Sequence, residues 1–159
     1  REYDAYWNET RLAKAKAIGL TPIEVCTLAS IVEEETANNG EKPMVAGLYI
    51  NRLKRGIPLQ ADPTVKFSLQ DFGLKRILFK HLEVDSPYNT YKINGLPPGP
   101  IRIPSVIGLN SVLDYTRHNY IYMCAKEDFS GTHNFATNLR EHNINARKYQ
   151  QALNRRNIK

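Results

Sequence analysis

Several residues that mark particular protein classes are scarce in this sequence. Its 159 residues include two cysteines, two methionines and one tryptophan. Cys26 and Cys124 stand far apart and form no CxxC pair, which leaves a zinc or thioredoxin-like reading without support. Both lie in apolar surroundings, a setting that favours two small buried thiols over a disulfide. No stretch approaches the roughly 18–20 apolar residues that span a bilayer. The opening residues "REYDAYW" hold neither a methionine nor the charged and apolar regions of a signal peptide, so the chain is expected to be a piece of a longer one. Internal repeats and low-complexity tracts are also lacking.

What is present describes a folded unit. Hydrophobic residues are 42% and charged residues 24%, close to globular averages, and the length fits one domain over residues 1–159. The net charge of +6 would favour an anionic partner such as nucleic acid, membrane or an anionic polymer. The excess sits near the ends, however, at Arg11, Lys14 and Lys16 and at Arg147, Lys148, Arg155, Arg156 and Lys159, as on the solvated faces of terminal helices. No nucleic-acid-binding motif accompanies it, and nucleic acid is not an expected partner.

Residues 3–17 have helical composition and stop at Gly19. "TPIE" supplies Thr21 as N-cap, Pro22 at the first helical position and Glu24 three residues after the cap, a capping box that predicts a helix through "IEVCTLASIVEEETA" to "NNG". "KPMVAGLYINRLKRG" predicts another, with Val45, Leu48, Tyr49 and Leu53 on one stripe and Gly56 as its stop. The segments "IPLQADPTVKFSL" and "SPYNTYKINGLPPGPIRIPS" are rich in Pro, Gly and Asn and predict ordered loops with short extended pieces. A short helix opened by Pro104 and Ser105 follows. "NYIYMCAKE", "DFSG" and "THNFAT" then read as strand, turn and returning strand, and a final helix runs from about Asn138 to Arg156. The fold class is α+β: mostly helical, with a small antiparallel hairpin.

Three adjacent glutamates, Glu33, Glu34 and Glu35, end the first apolar helix. With each residue advancing about 100° and Leu28 at zero, Val25 falls near +60°, Val32 near +40° and Ile31 near −60°. Glu35 falls at about −20°, inside that buried stripe, whereas Glu33 at about +140° and Glu34 at about −120° point to the polar side. Glu24 also lies on the stripe side, but its capping-box place explains it. A carboxyl in apolar surroundings has a raised pKa, as a general acid requires. The alternative is that Glu35, a turn from the helix end, bends out to solvent or pairs with an Arg such as Arg52.

"LASIVEEET", "INRL", "LQADPTV", "YNTYKINGLPPGPI" and "HNFATNLREHN" occur in an order and with gaps that resemble the endolytic murein transglycosylases of the MltG (YceG-like) family, over about residues 20–155. The resemblance implies a lysozyme-related helical core and an enzyme at the outer face of the bacterial inner membrane. It also implies that nascent peptidoglycan strands are cut between MurNAc and GlcNAc to leave a 1,6-anhydro-MurNAc end. The family's membrane-anchoring helix and LysM-like subdomain have no counterpart here, so the chain resembles the isolated catalytic domain, with membrane contact only through the missing anchor. The last glutamate of the family's ExET pattern is Glu35, the residue reached separately by the angular comparison. The expected partners are glycan strands and penicillin-binding peptidoglycan synthases; no cofactor or metal is implied.

A lytic transglycosylase can work with one carboxyl group, because the 6-hydroxyl of the same MurNAc is an intramolecular nucleophile of high effective concentration. In "LQADPTV", Gln60, Asp62 and Thr64 are candidates for substrate binding. Asp62, before Pro63, is equally suited to cap a following turn or helix, and Gln60 to hold its loop. Asn89, Thr90 and Tyr91 offer amide, hydroxyl and aromatic groups on a Pro-stiffened loop, suited either to a sugar polymer or to satisfying loop backbone. His133 and Asn138 are candidate cleft-wall residues, or else make core hydrogen bonds. Asn138 and His142 share a face if the last helix has begun, but no third ligand stands in register for a metal. Two rival readings remain, a hydrolytic muramidase using the same glutamate and a catalytically silent peptidoglycan-binding or scaffold module.

Overall fold

Thr21 accepts a hydrogen bond from the Glu24 amide at 3.3 Å while Glu24 accepts one from the Thr21 amide at 2.9 Å, so the capping box is formed as its spacing predicts. In the computed structural model, which describes residues 5–70 and 79–156, this box opens a central helix. The helices are α1 (Glu9–Ile18), α2 (Pro22–Glu35), α3 (Lys42–Arg55), α4 (Asp62–Leu69), α5 (Val106–Leu113) and α6 (Leu139–Arg155). A 3-10 turn at Phe79–Glu83 follows α4, and strands β1 (Tyr122–Ala125) and β2 (His133–Ala136) precede α6. The architecture is α+β.

Helix α2 is the axis of the core. Every residue from Val25 to Val32 is buried, and the helix packs against α5, α3, α4 and α1. Tyr49, Leu48 and Ile50 of α3 and Val112 of α5 close around it. Strands β1 and β2 pair antiparallel with Tyr122 opposite Ala136 and Ala125 opposite His133, and α6 covers them. Residues of α6 and the last residues of α2 line one hollow between them. Among the described residues no single helix is long and apolar enough to cross a membrane.

Five expectations change. The first expected helix is interrupted: Ala5 and Tyr6 are helical, residues 7 and 8 are not, and α1 begins at Glu9, where the Asn8 side chain accepts from the Arg11 amide and caps it; residues 3 and 4 of the expected helix lie outside the described residues, as does Lys159. Helix α2 ends two residues early, at Glu35, because Thr36 is extended at φ −146° and ψ 135°. "DPTVKFSL", expected as loop, is helical: Pro63 stands near its start, where a missing amide costs nothing, and Gln70 ends it in the left-handed region at φ 55°. Asp62 does not cap α4, since the N-cap position is Ala61 and no side chain bonds there. Cys26 and Cys124 form no disulfide with each other; Cys26 is buried and Cys124 only partly so.

Candidate active site

Backbone and hydroxyl hydrogen bonds stitch the "LQADPT" segment to the "YNTY" loop. Thr90 Oγ1 accepts from the Ala61 amide at 2.8 Å and lies 2.8 Å from Thr64 Oγ1, and the Gln60 amide donates to the Thr90 carbonyl. Asn89 Nδ2 donates to the carbonyls of Leu82 and Val84, and its Oδ1 accepts from the Tyr91 amide. Thr64, Asn89 and Thr90 are 0% exposed, so these three lie behind the groove rather than in it. Their effect is to fix two groups that do face it. The Tyr91 hydroxyl donates to Asp62 Oδ1 at 2.6 Å.

Glu35, the last residue of α2, reaches the surface where three hollows meet. One of about 420 Å³ is shared with Asp62, Tyr91, His133 and His142. A second, of about 510 Å³, is shared with Tyr49, Arg52, Gln60, Asp62, Tyr91 and His142. The third, about 250 Å³, lies against the β1–β2 turn and takes in Lys126, Phe129 and His133. Together they form a groove that passes Glu35 on more than one side. A larger cavity of about 720 Å³ lies elsewhere, against Ile23, Ile101 and Leu109, and has no carboxyl or imidazole in its wall.

The electrostatics separate the two groove carboxyls. Burial raises the Glu35 pKa first, and the neighbouring Asp62 charge adds to it; a hydrogen bond from Tyr49 and the Lys66 charge oppose these, leaving the group near 8. Asp62 is also raised by burial, but the Tyr91 hydrogen bond and Lys66 hold it back. The Asp62 charge makes ionisation of Glu35 harder. The Tyr49 and Tyr91 hydroxyls, buried and facing these carboxyls, are raised and stay protonated as donors.

Glu33 departs from the expectation of a solvent-facing charge. Its side chain is 6% exposed, pairs with Lys42 Nζ at 3.2 Å, and accepts hydrogen bonds from the Ser105 amide and from Ser105 Oγ at 2.8 Å. Burial alone would raise its pKa, yet the Ser105 and Lys42 contacts outweigh that and lower it. Glu34 is exposed and pairs with Arg102 at 2.8 Å. Arg52 does not pair with Glu35; its Nε and Nη1 donate to the carbonyls of Ile121 and Pro58.

Of the remaining candidates, Gln60 is exposed at the groove edge with a left-handed φ of 51°. His133 lines the groove, with its amide and Nδ1 both on the Glu41 carboxylate at 2.6 and 3.0 Å. Asn138 is the N-cap of α6, accepting from the Glu141 amide at 2.9 Å, and lines none of the three hollows. Sequence reasoning did not single out Tyr49, Lys66 or His142 for the groove. The available signals were a tyrosine in an apolar helical stripe, whose hydroxyl needs a partner, and a lysine one turn after Asp62. Among the described residues no group of three or more His, Cys, Asp or Glu could hold a metal ion.

A carboxyl of raised pKa in a groove is suited to acid–base chemistry. Residues 1–148 match the YceG-like family, and the chain belongs to it. It is 37% identical over 146 residues to an endolytic murein transglycosylase of Bacillus subtilis (strain 168), covering 92% of this chain and 40% of that protein. An endolytic murein transglycosylase of Streptococcus pneumoniae serotype 2 is 33% identical over 138 residues, covering 84% of this chain and 25% of that one. The crystal structure of a yceG-like protein from Listeria monocytogenes superposes with a TM-score of 0.74 at 36% identity, over 85% of this chain and 45% of the other. The chain thus spans less than half the length of these relatives.

Proposed function

We propose that this chain is the catalytic domain of an endolytic peptidoglycan lytic transglycosylase acting on the MurNAc–GlcNAc β-1,4 bond, with Glu35 as its acid and then its base. The observation that carries this reading is a carboxyl with a pKa near 8, protonated at neutral pH, at the junction of hollows of about 420 and 510 Å³. An interior bond of a strand needs room on both sides of the acid. The relatives named as endolytic murein transglycosylases supply the substrate class.

Protonated Glu35 donates to the glycosidic oxygen as the C1–O bond breaks and the sugar gains oxocarbenium character. The resulting carboxylate then accepts the proton of the MurNAc 6-hydroxyl while that oxygen bonds to C1. Glu35 ends as it began, and no water is consumed. Ionised Asp62, held by Tyr91, lies where a fixed negative charge favours both the proton on Glu35 and the cationic sugar. The enzyme sits, on this reading, at the outer face of the inner membrane, working on strands made by penicillin-binding synthases.

Mass spectrometry of products from purified peptidoglycan tests the proposal. Wild-type protein should release fragments ending in anhydro-MurNAc, one water lighter than the hydrolytic product, and Glu35→Gln should release none. Reducing MurNAc ends would make the protein a hydrolytic muramidase, and no cleavage by wild-type protein would leave a binding or scaffold module.

A further inference from the structure

Two cations are buried among the described residues, and they are treated differently. Lys42, 6% exposed, has the Glu33 carboxylate at 3.2 Å. Arg52, 5% exposed, has no carboxylate partner among the described residues. Its Nε and Nη1 donate to the carbonyls of Ile121 and Pro58 at 2.6 Å, its Cζ lies 5.3 Å from the Tyr122 ring centroid, and Nη2 has no acceptor among the described residues. A guanidinium taken out of water without a counter-charge is costly, and one left with an unused edge on a cavity is poised for an anion. That cavity is the 510 Å³ hollow beside Glu35.

A second observation stands on the same wall. His142, on α6, stacks on Tyr122 with ring centroids 5.0 Å apart, and its Nδ1 is buried with no hydrogen-bond partner. Burial and the nearby Arg52 charge lower its pKa, so the ring is neutral and keeps one N–H to offer. Unpaired buried polar atoms are rare in folded proteins and call for a partner. With Asp62 also on this hollow, a dianion would be repelled. A single planar carboxylate suits one guanidinium edge and one neutral imidazole.

Building on the proposed function, we infer that Arg52 and His142 form an anion-binding subsite next to Glu35 that takes a carboxylate carried by the muramyl residue of the strand. Two carboxylates of the same chemistry can reach it, the lactyl group of a MurNAc without its peptide and a free carboxylate of the stem peptide. Either would fix the muramyl side of the scissile bond relative to Glu35 and distinguish it from GlcNAc, which carries no such group. Arg52 is a specificity-determining residue on this view and takes no part in proton transfer.

Calorimetric titration at pH 7 tests the subsite without relying on turnover. Glu35→Gln protein is titrated with a GlcNAc–MurNAc disaccharide as its free acid and as its methyl ester, and with the disaccharide-peptide bearing free or amidated stem carboxylates. One charge-assisted contact is worth about 10- to 100-fold in affinity, and at least one acid should exceed its neutral counterpart by that factor. Which acid does so identifies the source. Arg52→Gln should collapse the preference, and His142→Phe, which keeps the stacking on Tyr122, should reduce it. If Arg52→Gln does not fold, the acid–ester comparison decides alone. Equal affinities, including no binding of any of the four, overturn the subsite. Preference for an acid in a wild-type protein that cuts no strand would keep the subsite and remove the enzymatic reading, whereas cleavage with equal affinities would remove the subsite alone.

Discussion

Replacing Glu35 by glutamine should make the protein more stable at neutral pH while removing its activity. In the unfolded chain Glu35 loses its proton near the ordinary 4.5, but in the folded protein it holds that proton to about 8. Between those values the unfolded state binds fewer protons than the folded one, so folding stability falls as pH rises. At pH 7 the difference corresponds to about 3 kcal/mol, because one pH unit between the two proton affinities is worth about 1.4 kcal/mol. Glutamine has a similar shape, makes similar hydrogen bonds and has nothing to ionise. Urea denaturation of both proteins at pH 4 and pH 7 should therefore show near-equal stabilities at pH 4 and a variant more stable by about 3 kcal/mol at pH 7, or roughly 10 °C in thermal midpoint. Stability differences that do not change with pH would refute the reasoning, since they would mean that Glu35 titrates alike in both states.

Further outcomes follow from the neighbouring contacts. Cleavage rate should fall tenfold per pH unit above about pH 8, as the folded-state pKa of Glu35 is passed, and should also fall on the acid side as Asp62 gains a proton; a pH profile of kcat/KM checks both limbs. Tyr91→Phe removes the donor that holds Asp62 back, so the acid limb should move to higher pH, with a stability loss of about 1 kcal/mol in denaturant titration. Glu33 should show the opposite sign to Glu35. Its folded pKa is lowered, so its contribution is present above pH 4.5 and lost on acidification, and Lys42→Met should cost about 3 kcal/mol at pH 7 by leaving that carboxylate unpaired. Gly47→Ala would drive a methyl group into the Thr116 carbonyl and to 2.8 Å from His118 Nε2, and should cost about 1–3 kcal/mol in thermal unfolding.

How much of this was legible beforehand depended on whether the cause lay within one element. The angular place of Glu35 on α2 is a property of a single helix, and so are the Thr21–Glu24 box and the glycine stop after α3. Glu33 was misread because the partners that bury it, Lys42 and Ser105, come from residues 9 and 72 positions away, which a helical wheel does not see. The same holds for the "YNTY" loop. Its composition suited both a sugar and a self-satisfied loop, and only the pairing of Thr90 with Thr64 and Ala61 puts Asn89 and Thr90 inside and leaves Tyr91 facing out. Helix α4 goes beyond the loop expected of its segment because proline breaks a helix only in its interior, and Pro63 stands near a helix start.

The most direct test of the account is a titration of the Glu35 side-chain carboxyl itself, by carbon-13 NMR of glutamate-labelled protein assigned with Glu35→Gln. A midpoint near pH 8 is predicted. A midpoint near the ordinary 4.5 would mean that Glu35 is already ionised at neutral pH and has no proton to give to a glycosidic oxygen.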